Sequence, residues 1–214
     1  MCIRDSSWVG DPREDLQKRL KSKDKFTEPL QCPFITHWLH NMTHDQVLDM
    51  LKYLGMGNRP EDKVKVIFVP CYQDGHDGIL NKHYYDLILG EDLSVYPSYY
   101  EPWGYTPLES VAFRVPTITT DLAGFGLWVN SLKNQHGIND GVEVLHRSDY
   151  NYSEVADGIK DTVALFSTKT EAEIKEIRKR AGQVAEQALW KHFIQYYYEA
   201  YDIALRNAMK RQLK

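Results

Sequence analysis

Apolar residues recur along this chain at two spacings that indicate secondary structure. Spacings of three and four residues predict amphipathic helices, and short β-branched runs between turn residues predict buried strands. The predicted helices cover about 11–22, 43–55, 84–90, 107–113, 151–167, 170–188 and 190–210. The predicted strands cover 64–70, 93–97, 115–119 and 142–145. One of these helices has a clear start signal, since Thr43 to Gln46 has the capping-box pattern.

Strands and helices alternate, which predicts an α/β fold: a doubly wound, Rossmann-like parallel sheet followed by a C-terminal helical segment. In such folds ligands bind beyond the carboxyl ends of the strands. The sequence contains no internal repeat or flexible linker, so one domain is predicted over residues 8–214. Residues 1–7 (MCIRDSS) have no periodicity and are predicted to be a non-native leader.

Composition narrows the class of protein. The net charge is −4 and no basic run is present, which argues against nucleic acid as a partner. The three cysteines lack metal-ligand spacing, so we expect neither a disulfide scaffold nor a zinc site, and a reducing cytoplasm fits best. No apolar run is long enough to predict a membrane span.

The most informative stretch runs from Val95 to Gly126. A predicted strand ends near Pro97, the following loop carries Glu101, and a helix is predicted to open at Thr106. Free backbone N–H groups and the helix dipole at such a start favour an anion, and a diphosphate would suit them. A carboxylate one turn into the helix, Glu109, could hydrogen-bond the hydroxyl groups of a ribose.

Structural interpretations of the same residues remain open at this stage. Thr106-Pro-Leu-Glu109 is also a capping-box pattern, which would give both side chains a local role. Tyr99, Tyr100, Trp103 and Tyr105 could pack in a core or present faces to sugars. His37, His40 and His44 lie in a segment typical of a strand leading into a loop, and His76 lies in a glycine-rich turn, so no metal site is predicted.

The string PSYYEPWGYTPLE, residues 97–109, resembles the signature of the glycogen synthase family, which belongs to the GT-B glycosyltransferases and has two Glu residues separated by seven positions. The downstream VPTITTDLAGFG is similar to that family too, as are THWLHNMTHDQVLDMLKYLGMGN and ALWKHFIQYYYEAYDIAL. The similarity covers nearly everything after about residue 8, and it is of the bacterial, Bacteroidetes-like kind.

Matching this chain to the family position by position predicts a donor site. Glu101 matches the first Glu, which in the family lies beside the donor glucose and is the predicted catalytic residue. Glu109 matches the second Glu, which binds the ribose, and Tyr84 matches an aromatic residue that stacks on the nucleobase. The predicted donor-binding residues are Tyr84, Trp103, Gly104, Tyr105, Thr106 and Glu109.

The resemblance also implies an activity. The family transfers glucose from a nucleoside-diphosphate glucose to the 4-OH of an α-1,4-glucan, with retention of configuration and without a metal or other cofactor. An Arg and a Lys that hold the donor phosphates in the family have no counterpart here, and neither does its N-terminal domain. The chain is therefore expected to be the donor-binding half and inactive alone, with helix 190–210 crossing onto the missing half.

Other functions are weighed against this one. A nicotinamide-dependent oxidoreductase would need a G-x-G-x-x-G turn after a strand, and the sequence has none. A non-catalytic nucleotide- or glucan-binding fragment, or another GT-B glycosyltransferase, remains an alternative. The choice between UDP-glucose and ADP-glucose is open, and so is assembly into a homo-oligomer.

Overall fold

The computed structural model describes residues 39–41, 44–77, 79–133 and 135–212. The chain forms two compact units, Met1–Asp86 and Leu87–Lys214. The predicted leader over 1–7, the predicted helix over 11–22, His37 and Thr43 lie outside the described residues. The single domain predicted over 8–214 stays a prediction.

The first unit contains helix α1, Gln46–Tyr53, which confirms the second predicted helix. Its start differs from the prediction, because Asp45 is the N-cap and its carboxylate accepts hydrogen bonds from the amides of Val47 and Leu48. A carboxylate at the N-cap satisfies amides that have no partner within the helix. This cap lies two residues after the start of the predicted capping box.

The strand predicted over residues 64–70 is wrong. Among the described residues, no strand pairs with this segment, and those of the first unit contain an isolated bridge, Asp74 with His83. The carboxamide of Asn58 instead bonds both backbone groups of Val66, donating to its oxygen at 2.7 Å and accepting from its amide at 2.8 Å. A β-branched run forms a strand when a neighbouring strand pairs with it, and here one side chain takes that place.

The second unit is built on a parallel sheet in the order β1-β2-β3. The strands are β1 Ser94–Val95, β2 Thr117–Thr120 and β3 Val142–Leu145, with Ile118 in register between Val95 and Glu143. Helix α2, Tyr84–Ile88, includes the last residues of the first unit and the first residues of the second. The other helices of the second unit are α3 Tyr105–Ala112, α4 Gly124–Ser131, α5 Tyr152–Ser167, α6 Glu171–Gln187 and α7 Trp190–Gln212, with a short 3-10 helix over Ile138–Asp140. This arrangement confirms the predicted α/β fold.

The core of the second unit lies between the sheet and its helices. A buried cluster contains Val111, Phe125, Val129, Val142, Ala181 and Val184. Strand β2 is buried at all four positions although three of them are threonines. The hydroxyl of Thr120 donates to the carbonyl oxygen of Ser98 at 2.7 Å, so the end of β2 holds the loop that follows β1.

Helix α7 carries an aromatic face that is exposed in this chain. Phe193 is half-buried, and its ring centroid lies 5.4 Å from that of Trp103 and 5.4 Å from that of Trp128. Further along the helix, Trp190 is 59% exposed and Tyr201 is 56% exposed. The prediction that this helix crosses onto another half of the protein stays a prediction.

Candidate functional site at the carboxyl edge of the sheet

Glu101 lies in the loop between β1 and α3, and its backbone is fixed to the segment that follows β2. Its amide donates to the carbonyl oxygen of Leu122 at 3.2 Å, and its carbonyl oxygen accepts from the amide of Gly124 at 3.1 Å. These two bonds form an isolated parallel bridge between Glu101 and Ala123. The side chain is half-buried, so the fold fixes the backbone while leaving the carboxylate partly open.

Helix α3 begins one residue earlier than predicted, at Tyr105, and its N-cap is Gly104. Gly104 has φ 101°, a left-handed conformation that favours glycine. The N-cap makes no side-chain hydrogen bond, so the capping box proposed for Thr106 and Glu109 is wrong. Because the helix already starts at Tyr105, Thr106 lies inside the first turn rather than before it.

The start of α3 presents backbone donors. Amides in the first turn of an α-helix have no acceptor within the helix, which applies here to Tyr105 and Thr106, while Pro107 has no N–H. Tyr105 is 69% exposed and Thr106 is exposed too. Glu109 is half-buried on the following turn of the same helix. The loop and the helix therefore bring Glu101, Gly104, Tyr105, Thr106 and Glu109 into one continuous segment at the carboxyl edge of the sheet.

The loop also makes close contact with the start of α4. A Cβ atom on Gly124 would lie 2.3 Å from the carbonyl oxygen of Pro102 and 3.2 Å from Cα of Trp103. The Trp103 ring packs against Phe125 and Trp128, with centroid separations of 6.3 Å and 6.0 Å. Packing is thus the observed role of the Trp103 ring, and its contact with a donor stays a prediction.

Tyr84 belongs to the first unit and begins α2. Its amide donates to the carbonyl oxygen of Gln73 at 3.1 Å. Its half-buried ring is tilted against that of Tyr85, with the centroids 5.4 Å apart. Its predicted stacking on a nucleobase stays a prediction.

Sequence reasoning missed a polar network at the ends of the strands. Asp121 directly follows β2, and His146 and Arg147 directly follow β3. The Asp121 carboxylate accepts from the Arg147 amide at 2.8 Å, and its other oxygen lies 2.6 Å from Nδ1 of His146. Polar residues just after parallel strands could have signalled this cluster, since those ends share one edge of the sheet.

Asp121 raises the pKa of His146 through its hydrogen bond and its charge, with a smaller contribution from Glu154. The imidazole is 77% exposed and the carboxylate 21% exposed. Because the folded-state pKa is raised, the stabilisation from this pair is complete below the unfolded pKa of about 6.5 and is lost as the pH rises through the folded value.

We expect an NMR titration of His146 in the folded chain to have its midpoint above the ordinary value of 6.5. Replacing Asp121 by Asn should move the midpoint back towards that value, because the hydrogen bond to a charged partner is lost. Glu154→Gln is the matched control and should lower the midpoint less. A midpoint unaffected by Asp121→Asn would contradict the assigned cause.

A cavity of about 250 Å³ lies elsewhere in the second unit, between the segment after α4 and helix α6. Its lining includes Lys133, Asp140, Arg180 and Gln187. The predicted site residues do not line this cavity. Among the residues that the structure describes, no group of three or more His, Cys, Asp or Glu side chains could hold a metal ion.

The part of the chain that the structure describes contains no helix long and apolar enough to cross a lipid bilayer.

Comparison with known proteins identifies relatives. A family model described as "Glycogen synthase" matches residues 13–214. "Glycogen [starch] synthase isoform 1" of Saccharomyces cerevisiae is 32% identical over 183 residues, which is 85% of this chain and 26% of that protein. "Glycogen [starch] synthase" of Neurospora crassa is 31% identical over 90% of this chain and 27% of its own length. The mouse protein "Glycogen [starch] synthase, liver" is 28% identical over 82% of this chain.

The chain spans about a quarter of the length of these relatives, from 25% to 27%. The candidate site lies inside the matched region, since residues 84–109 fall within 13–214.

Proposed function

Because the chain belongs to the glycogen synthase family, a family of glycosyltransferases, we propose that it is the donor-binding half of a glucosyltransferase. The complete enzyme would transfer glucose from UDP-glucose or ADP-glucose to an α-1,4-glucan with retention of configuration. We place this activity in the cytoplasm and assign it no cofactor.

The observation that carries the proposal is the start of α3. Helix α3 begins at Tyr105, after the left-handed turn at Gly104, so the first-turn amides of Tyr105 and Thr106 have no acceptor within the helix and follow directly on the loop that carries Glu101. Helix N-termini favour anions through these amides and the helix dipole. The phosphates of a nucleotide sugar are a suitable ligand for this surface.

The two carboxylates have different proposed roles. Glu101 would stabilise the positive charge that develops on the glucosyl ring as the diphosphate leaves, which makes it the catalytic residue. Glu109 would accept hydrogen bonds from the ribose hydroxyls. Tyr84 would stack on the nucleobase.

The remaining half of the enzyme would supply what this chain lacks. We propose that the exposed aromatic face of α7, which includes Trp190 and Tyr201, packs against the N-terminal half. Cationic side chains from outside this chain would neutralise the rest of the phosphate charge. The chain alone is therefore expected to bind donors weakly and to have no turnover.

Titration of the chain with UDP and ADP, followed by ¹H–¹⁵N NMR, tests the proposal. We expect shifts centred on Gly104 to Thr106 and on Glu109.

Gly104→Ala should weaken binding by roughly tenfold, because alanine is strained at φ 101° and its Cβ would lie 3.2 Å from Cγ of Pro107. Gly182→Ala, inside helix α6, is the control and should bind as the wild type does. Shifts confined to residues 40–44 would contradict the placement of the site.

A further inference from the structure

Three loops meet at the carboxyl edge of the sheet, and one residue connects them. The loop after β1 carries Glu101, the loop after β2 carries Asp121, and Arg147 follows β3. The backbone of Glu101 is bonded to the loop after β2 through Leu122 and Gly124. Whatever holds these two loops against β3 therefore also sets the position of Glu101.

The guanidinium of Arg147 holds the loop after β1 in two ways. Its Nη1 donates to the carbonyl oxygen of Pro97 at 2.9 Å. Its Cζ lies over the ring of Tyr99, 4.5 Å from the ring centroid, which is a cation–π contact. The hydroxyl of Tyr99 in turn donates to the carboxylate of Asp149 at 3.0 Å. The start of the Glu101 loop is thus bonded to the segment after β3 at Pro97 and at Tyr99.

The backbone of Arg147 holds the second loop. Its amide donates to Oδ1 of Asp121 at 2.8 Å, while Oδ2 of the same carboxylate lies 2.6 Å from His146. The side chain and the main chain of this one residue therefore contact the two loops that are joined at Glu101.

One atom of the Arg147 side chain has no partner among the described residues. Nε of Arg147 is buried without a hydrogen-bond partner. A buried donor without an acceptor is destabilising, and such groups in native proteins tend to mark positions under another constraint. The need to hold the Glu101 loop in a fixed position would be such a constraint on Arg147.

We propose that Arg147 is a positioning residue for Glu101, holding the loops after β1 and β2 in the arrangement that sets the carboxylate beside the donor sugar. This inference rests on the proposed function of Glu101. Arg147 does not need to touch the donor for this role, since it acts through Pro97, Tyr99 and Asp121.

The first test is amide hydrogen exchange in this chain. Arg147→Ala removes the two side-chain contacts but keeps the backbone bond to Asp121. Exchange of the Glu101 and Gly124 amides should accelerate by roughly tenfold or more. The Asp121 amide donates to the carbonyl oxygen of Leu145 at the sheet, so its exchange rate should stay within about twofold of the wild-type rate. Arg147→Lys should give an intermediate rate, because an ammonium can bond Pro97 but cannot stack as a guanidinium does. Lys160→Ala, which removes a cation on α5, is the control and should change neither rate.

The second test is turnover of the full-length protein that contains this chain. Arg147→Ala should lower kcat by roughly tenfold with less than about threefold change in the donor KM, and Arg147→Lys should restore part of the loss. Unchanged exchange at Glu101 and Gly124, or accelerated exchange with normal kcat, would overturn the inference. A wild-type enzyme without glucosyl transfer would instead refute the proposed function, and the exchange data would still report whether Arg147 holds the loop.

Discussion

Replacement of Glu101 by Gln is expected to lower the kcat of the full-length enzyme by roughly 100-fold or more, with less than about threefold change in donor affinity. The carboxylate would act on charge that develops only in the transition state, so its loss affects turnover more than binding. The substitution is well suited to the test because both anchoring bonds of Glu101 come from its backbone, at Leu122 and Gly124. Glutamine keeps those bonds and the shape of the side chain while removing the charge.

Initial rates measured against donor concentration separate the two effects. Glu109→Gln should raise the donor KM instead, because a ribose contact is made equally in the ground state and the transition state. The N-cap of α3 is Gly104 and makes no side-chain bond, so Glu109→Gln breaks no capping box at Thr106. We therefore expect no loss of stability from that source. Glu186→Gln, on the exposed side of α6, is the matched control. A kcat near the wild-type value for Glu101→Gln would remove this residue from the mechanism.

Replacement of Gly124 by Ala should reduce the free energy of unfolding of the chain by about 1–3 kcal/mol. The added Cβ would lie 2.3 Å from the carbonyl oxygen of Pro102, and backbone atoms cannot move aside as a side-chain end can. Moving the loop would also break the bond between the Gly124 amide and the carbonyl oxygen of Glu101. This single methyl group should therefore disturb both the fold and the site.

Urea denaturation of the wild type and the variant measures this loss. Gly182→Ala is the control, because its Cβ would first meet the flexible side chain of Arg114, at 3.1 Å, and alanine is favoured inside a helix. The control should be as stable as the wild type or more so. Equal stability for Gly124→Ala would show that the loop can relax without cost and that the close approach of Pro102 is not required.

The sequence by itself was sufficient for the elements whose signals are local. Helical periodicity predicted 151–167, 170–188 and 190–210, and the structure has helices at 152–167, 171–187 and 190–212. Strand β3 has the predicted bounds, 142–145. Short motifs also indicated the family, because the string from Pro97 to Glu109 is specific in its residues and not merely in its spacing.

Tertiary contacts decided what local patterns left open. The run at 64–70 has the composition of a strand, but strand formation depends on a partner elsewhere in the chain. Here the backbone of Val66 bonds to the carboxamide of Asn58 instead. The capping-box pattern at Thr106 was overridden by the left-handed turn at Gly104. Arg147 was not found from sequence because its contacts join residues 50 and 26 positions away. Sequence therefore determined the elements and the family, whereas long-range packing decided how the loop that carries Glu101 is held.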